Sequence, residues 1–514
     1  MKKDRLHYSL LNSSISSVIY MLRLVLQFVI RTIFIHFLGK EFLGLNGLFT
    51  NILSLLSMAE LGIGSSIVYS MYKPLALDDQ PKIRALMQLY KKAYNYIGIL
   101  VGVIGLGLIP FLKYMINSDL EMSTIYVIYL LFLGNSVVSY FFTYKRSLLI
   151  ADQRTYVTTV NDFVFLIVTN IFQVVFLYLS PNYVLYLVIQ IFFTFLGNVS
   201  ISRITDKEYP YLKSDHHETL DQETVGEIKK NVIGNVSSKI GGVLVMGTDN
   251  ILISTFVSLS AVGLYSNYTL IVNAVQNLCK QVTNSITSSI GNYAATNERS
   301  KGYELFKKHL FVNHTLIFFS TVILFNVLND FIVWWLGDSF VISEWASILV
   351  VINYAVQVYR NTSFVFIDSY GLYWYQRRKP IIEAGINLIV SLILLIVFKM
   401  GIAGVILGTI ISTAGFVIWY EAYVIYKFAF ELSVFNYIKL IAVYALQIIV
   451  ASFLSVSLLN LFSLGEKGFI RILLKVVLSG VISLVCYLIM NFRRMEFKYV
   501  LTVLKKLFGR VLKK

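Results

Sequence analysis

The chain has 514 residues, 57% hydrophobic and 14% charged, with a mean hydropathy of +0.71. An average soluble domain carries roughly 25% charged residues, so an ordinary soluble enzyme is excluded. The formal net charge of +16 leaves nucleic acid and membrane lipid as partners, and the placement of the basic residues decides between them.

Apolar blocks of about 20 to 30 residues recur along the chain, long enough to cross a hydrocarbon core of about 30 Å at 1.5 Å per residue. In chain order the predicted spans are 13–37, 43–72, 93–115, 123–144, 156–180, 183–203, 230–257, 262–293, 309–329, 344–371, 380–398, 402–426, 437–461 and 469–491. These are fourteen helices of an all-α integral membrane protein. The opening MKKDRLHYSLLNSS lacks a short apolar core with a small-residue cleavage site, so no removable signal peptide is expected and the first helix itself targets the membrane.

Two cysteines, Cys279 and Cys486, sit in apolar runs without CxxC spacing and suggest neither a disulfide framework nor a metal site. The histidines are scattered, and no HExxH, P-loop or GxSxG motif occurs. No cofactor is expected.

Lysines and arginines cluster in alternate connecting segments. One set comprises the N-terminus, the loop with Lys73, Lys82, Arg84, Lys91 and Lys92, then Lys145, Arg146 and Arg154, the segment from Arg203 to Lys230, Arg299 to Lys308, Arg377 to Lys379, and a tail ending GRVLKK. The other set is nearly free of them, which by the positive-inside rule places both termini in the cytoplasm. The positive charge therefore belongs to anionic lipid and not to nucleic acid, with the basic tail lying on the membrane surface.

The longest polar interruption follows the sixth span and reads as a cytoplasmic linker. On either side of it the sequence repeats. A shift of 219 residues lays FLGKEFLGLNGLFTNIL (37–53) on FVSLSAVGLYSNYTLIV (256–272), matching Phe37 with Phe256, Gly44 with Gly263, Leu45 with Leu264 and Thr50 with Thr269. Parallel repeats related by an axis along the membrane normal are a transporter architecture with the substrate between the halves. The expected organisation is two six-helix lobes, 1–203 and 230–427, around a central cavity, joined by the linker 204–229. Helices 13 and 14 (428–491) and a basic cytoplasmic tail (492–514) follow.

A charge in the hydrocarbon costs about 2.5–3.5 kcal/mol on insertion scales, so such residues face a cavity or a partner. Arg23 and Arg31 fall in span one, Glu60 in span two, Lys239 and Asp249 in span seven, Lys280 in span eight and Arg360 in span ten. Asn12, Ser16, Arg23, Gln27 and Arg31 share one helix face, as do Asn235, Lys239, Met246 and Asp249 or Asn250. Five of the seven deep charges are cations, which suits an anionic ligand such as a phosphate. The substrate-binding set is thus Arg23, Arg31, Lys239 and Arg360, with Glu60 and Asp249 as coupling or structural acids. For any single residue, a structural ion pair is the alternative. Glu60 and Arg23 fall at similar heights, so a cation partner or protonation is expected for Glu60.

The run from ISSVIYMLRLVLQFVIRTIFIHFLGK through AELGIGSSIVYSMYKPLA resembles the opening of Wzx-type polysaccharide flippases. So do TDNILISTFVSLSAVGLYSNY at 248–268, YGLYWYQRRKPIIEAGINLIVSLIL at 370–394 and GIAGVILGTIIST at 401–413. That family lies in the multidrug/oligosaccharidyl-lipid/polysaccharide exporter superfamily, and the form with AELGIG and YKPLA is similar to those of Gram-positive capsule and exopolysaccharide clusters. The resemblance implies alternating access, a non-enzymatic transporter of the cytoplasmic membrane, and an undecaprenyl-pyrophosphate-linked oligosaccharide repeat unit as cargo. It also implies coupling to a proton or sodium gradient and polymerase and chain-length machinery as neighbours. Alternatives are a lipid II or drug exporter of the same superfamily and, from a different class, a membrane polysaccharide polymerase or glycosyltransferase. Against the last, the sequence shows no large extracytoplasmic loop and no DxD cluster outside the spans.

Overall fold

The computed structural model describes residues 5–60, 63–213, 248–284, 299–461 and 468–498, with a few positions between 220 and 232. Among them the chain is helical and contains no strand. Ten helices among the described residues are long and apolar enough to span a membrane. The protein is an all-α, multi-pass membrane protein.

The chain divides into two compact units, Met1–Gly263 and Leu264–Lys514. In the first unit, α1 (Arg5–Leu56) is two helices merged across a kink at Gly39, whose φ of 79° lies where only glycine is unstrained. The two helices meet at Gly39, between residues 37 and 43, where the boundary between spans one and two is expected. Span two itself is broken: a 3-10 turn at Ser57–Glu60 ends the helix, and α2 (Ile63–Leu77) resumes after it. The first unit continues with α3 (Gln80–Leu108), α4 (Met122–Ala151), α5 (Thr155–Leu179) and α6 (Tyr183–Glu208).

Helix α3 starts thirteen residues before the expected span at 93, because Asp79 caps the Lys82 amide at 3.1 Å and Pro81 occupies the first turn. Apolarity marks only the part of a helix that lipid covers, and α3 extends beyond it. Helix α4 packs on α3 and α6, and α5 packs on α1 and α6. Asn12 fastens the α4–α5 turn, donating to the Gln153 carbonyl and accepting from the Tyr156 amide, both at 2.8 Å. In the linker, hydrogen bonds from the Thr224 hydroxyl and amide and from Lys82 hold the Asp221 carboxyl down to about 2.

The helical residues 248–256 and the turn after them pack into this first unit. The Ser254 hydroxyl donates to the Met115 carbonyl at 2.7 Å, and the Leu259 amide to the Asn117 carbonyl at 2.9 Å. A Cβ on Gly44 would overlap the Leu259 carbonyl, and one on Gly263 would overlap the carbonyl of Lys40. The 219-residue shift carries Lys40 onto Leu259 and Gly44 onto Gly263, so it exchanges these two contacts. The repeated glycines are the places where paired backbones touch.

The second unit contains most of α7 (Leu259–Asn284), then α8 (Arg299–Leu336), α9 (Glu344–Tyr370), α10 (Lys379–Ile396), α11 (Ile402–Phe430), α12 (Phe435–Leu459) and α13 (Phe469–Asn491). Ser343 caps α9 and Gly371, left-handed at φ 66°, ends it. Helices α9 and α10 both pack on α11, while α12 and α13 pack together against α8. Polar side chains knit that last group: Asn326 donates to Ser455 at 2.9 Å, Lys475 pairs with Asp330 at 2.5 Å, and Thr315 bonds Tyr487 at 2.5 Å.

Candidate functional site

The deepest charges of the second unit form one network. Arg360 on α9 donates to Glu383 on α10 at 3.2 Å, to Glu421 on α11 at 3.0 Å and to Gln357 at 3.1 Å. The Lys379 ammonium donates to the same Glu421 oxygen at 2.6 Å. The Phe364 ring lies 5.0 Å from the Arg360 guanidinium and 5.3 Å from the Lys379 ammonium. All four charged residues are buried, Glu421 completely. Two cations against two carboxylates leave the cluster neutral, the condition for holding charge in a low-dielectric interior.

Helix α11 is built around this cluster. It is π-helical at Thr413–Val417 and again at Tyr426–Phe430, on either side of the helical turns that carry Glu421. Gln357 reaches the first of these segments, donating to Thr413 at 3.3 Å. Sequence reasoning missed Glu421, although a carboxylate inside IWYEAYVIY carried the same signal as Arg360.

In the first unit, the Glu60 carboxylate accepts from the Tyr94 hydroxyl. Tyr90 donates to Tyr94 at 3.3 Å, and Ser147 donates to Tyr90 at 2.9 Å. No cation pairs with Glu60 among the described residues; its partners are phenols, not Arg23. This arrangement accounts for Gly64, where a Cβ would lie 2.6 Å from the Tyr94 hydroxyl and 2.8 Å from that of Tyr90. The glycine after the glutamate makes room for the tyrosines that hold it.

Arg23 and Arg31 lie partly buried on α1. Arg23 makes no ion pair among the described residues, and its Nε is buried without a hydrogen-bond partner. Asp249 lies in the helical residues 248–256, where its neighbour Asn250 reaches the Gly47 carbonyl at 3.5 Å. Lys239 lies outside the described residues. Lys280 on α7 has no acidic partner among the described residues.

Two buried histidines on α8 are satisfied. His314 stacks on Tyr444 at 3.9 Å and bonds the Tyr359 hydroxyl at 2.7 Å and Gln447 at 2.8 Å; His309 bonds Thr362 at 3.0 Å. No cluster of metal-ligating side chains occurs among the described residues.

The sequence profile of the polysaccharide biosynthesis protein family matches residues 9–290, more than half of the chain. The chain belongs to that family. No curated protein matches it in sequence. In fold, this member of the family is similar to the lipid II flippase MurJ in an inward closed conformation. The TM-score is 0.60 at 15% identity, over 92% of this chain and 98% of MurJ. It is also similar to an inward-facing multidrug resistance MATE transporter of the MOP superfamily, with a TM-score of 0.60 at 12% identity, over 78% of this chain and 94% of the other. The Vibrio cholerae MATE transporter VcmN gives 0.55 at 12% identity, over 82% and 99%. The fold is that shared by these transporters.

Proposed function

We propose that this family member is a flippase that carries undecaprenyl-pyrophosphate-linked oligosaccharide repeat units from the inner to the outer leaflet of the cytoplasmic membrane, for capsule or exopolysaccharide synthesis. The family match over residues 9–290 carries this reading. The likeness to MurJ and the MATE transporters supports a transport mechanism over an enzymatic one. Both termini lie in the cytoplasm, as the distribution of lysine and arginine favours. The substrate enters from the cytoplasmic leaflet, and the protein alternates between two access states that bind it unequally.

Arg23 and Arg31 on α1, together with Lys239, bind the pyrophosphate by charge-assisted hydrogen bonds. Arg23 supports this role because it is a membrane-embedded cation with no ion-pair partner among the described residues. Arg360 is already balanced by Glu383 and Glu421, so its role is to hold α9, α10 and α11 together. Glu60, in its ring of tyrosines, and Asp249 are the acids through which a proton or sodium gradient drives the cycle.

In a strain lacking the native gene, a copy carrying Arg23→Ala and Arg31→Ala should reach the membrane at normal level and support no surface polysaccharide. Full polymer output would remove the arginines from the site. The likeness to MurJ favours one second reading, lipid II as the cargo. Rescue of growth in cells depleted of their lipid II flippase would select it.

A further inference from the structure

A cavity of about 360 Å³ opens between α5 and α6 within the first unit. This falls in the range of about 300–1,000 Å³ usual for small-molecule sites. Two helix faces line it. Asp162, Phe165, Leu166, Thr169, Asn170 and Gln173 follow helical spacing on α5, and Tyr186, Gln190, Phe193, Thr194, Gly197 and Asn198 do so on α6. Arg146 of α4 closes one end, and the opposite end is closed by Gln173 donating to the Tyr186 carbonyl at 3.1 Å. From Asp162 to Gln173 the lining runs about 16 Å along the helix.

Part of the polar lining is satisfied. Arg146 holds Asp162 through two bonds of 2.6 Å, and just beneath, Asn161 donates to the Gly197 carbonyl at 3.1 Å and accepts from Ser200 at 2.8 Å. The side chains of Asn170, Gln190, Thr194 and Asn198 make no hydrogen bond among the described residues. Asn198 is only 8% exposed and lines the cavity. Both helices are apolar enough to span a membrane, and an unpaired amide there costs about 1–3 kcal/mol. Hydrocarbon filling the cavity would leave all four of these groups unmet.

The charge of the lining specifies the ligand. Arg146 and Asp162 neutralise each other, and Tyr186 is the one other residue of the lining with an ionisable side chain. A pyrophosphate would find no spare cation and a cationic drug no spare carboxylate. Amides donate and accept together, as a sugar hydroxyl does, and Phe165 and Phe193 add apolar lining suited to the C–H side of a pyranose.

We propose that this cavity binds the uncharged sugar portion of the cargo, away from the arginines that take the pyrophosphate. The proposal rests on the flippase reading above. It assigns recognition of the oligosaccharide to Asn170, Gln190, Thr194 and Asn198.

The test uses the full-length protein in lipid nanodiscs and two probes: undecaprenyl pyrophosphate carrying a neutral oligosaccharide, and bare undecaprenyl pyrophosphate. The wild type should bind the glycosylated lipid about tenfold more tightly. The Gln190→Leu/Asn198→Leu variant should bind both probes alike, at the affinity of the bare lipid. Its melting temperature should equal or exceed that of the wild type, because unpaired amides give way to apolar groups; Asn170→Leu serves as an independent second variant. If both variants keep the full preference for the glycosylated lipid, the cavity holds water only and the proposal falls while the flippase reading stands. Equal binding of the two probes by the wild type also overturns it. If the wild type binds neither probe, the flippase reading itself fails.

Discussion

One oxygen of the Glu421 carboxylate accepts from both Arg360 and Lys379, so removing that single charge leaves two buried cations facing Glu383 alone. Breaking a buried pair on one side costs about 3–5 kcal/mol. Glu421→Gln should therefore lower the melting temperature and the folded yield in detergent, and Glu421→Gln with Lys379→Met should recover part of the loss. A Glu421→Gln protein that melts like the wild type would show that the network does not hold the second unit together. Gly64 offers a second residue-scale test. Gly64→Ala should destabilise by about 1–3 kcal/mol through overlap with two tyrosine hydroxyls, and Tyr90→Phe with Tyr94→Phe should relieve it. Additive effects in that cycle would deny the contact. At this scale the sequence was legible where charge stood out: Arg360 and Glu60 were visible as deep charges. Glu421, the partner of Arg360, carried the same signal and was overlooked, whereas Tyr94, the partner of Glu60, was illegible because a neutral tyrosine carries no signal in an apolar run. The amides of the α5–α6 cavity were illegible for the same reason.

At the scale of the element, α11 places Glu421 through two π-helical segments, each of which adds a residue to a turn. Deleting Gly415 would rotate the following residues by about 100° and turn Glu421 out of reach of Arg360 and Lys379. Gly415→Ala meets no neighbour within 4 Å and should be neutral or slightly stabilising. Thermal unfolding of the two variants should diverge; equal stability would mean that the register of α11 does not matter. Gly44→Val and Gly263→Val should each lower the folded yield, because each adds a side chain where a backbone carbonyl already sits. Helix existence was legible from apolar runs, and helix ends were not. Span two was expected as one helix because residues 43–72 are predominantly apolar around the single charge Glu60, yet the α-helix gives way to a 3-10 turn at Ser57–Glu60, whose carboxylate meets Tyr94.

For the whole molecule, the shared register of Gly44 and Gly263 was readable in the sequence, and each of the two lies where a neighbouring backbone carbonyl leaves no room for a side chain. The membrane fold followed from hydropathy. The cargo is written in neither, because family and fold are shared by proteins that move different molecules. Reconstitution tests it directly. Proteoliposomes bearing the purified protein receive fluorescent undecaprenyl-pyrophosphate oligosaccharide in both leaflets, and a membrane-impermeant reagent then destroys the outer pool. Lipid flips into the reagent's reach only if the protein carries it. The proposed function predicts loss of nearly all fluorescence with the wild type, and of about half with Arg23→Ala/Arg31→Ala or with empty liposomes. Loss of only half with the wild type, both with and without an imposed ion gradient, would contradict it.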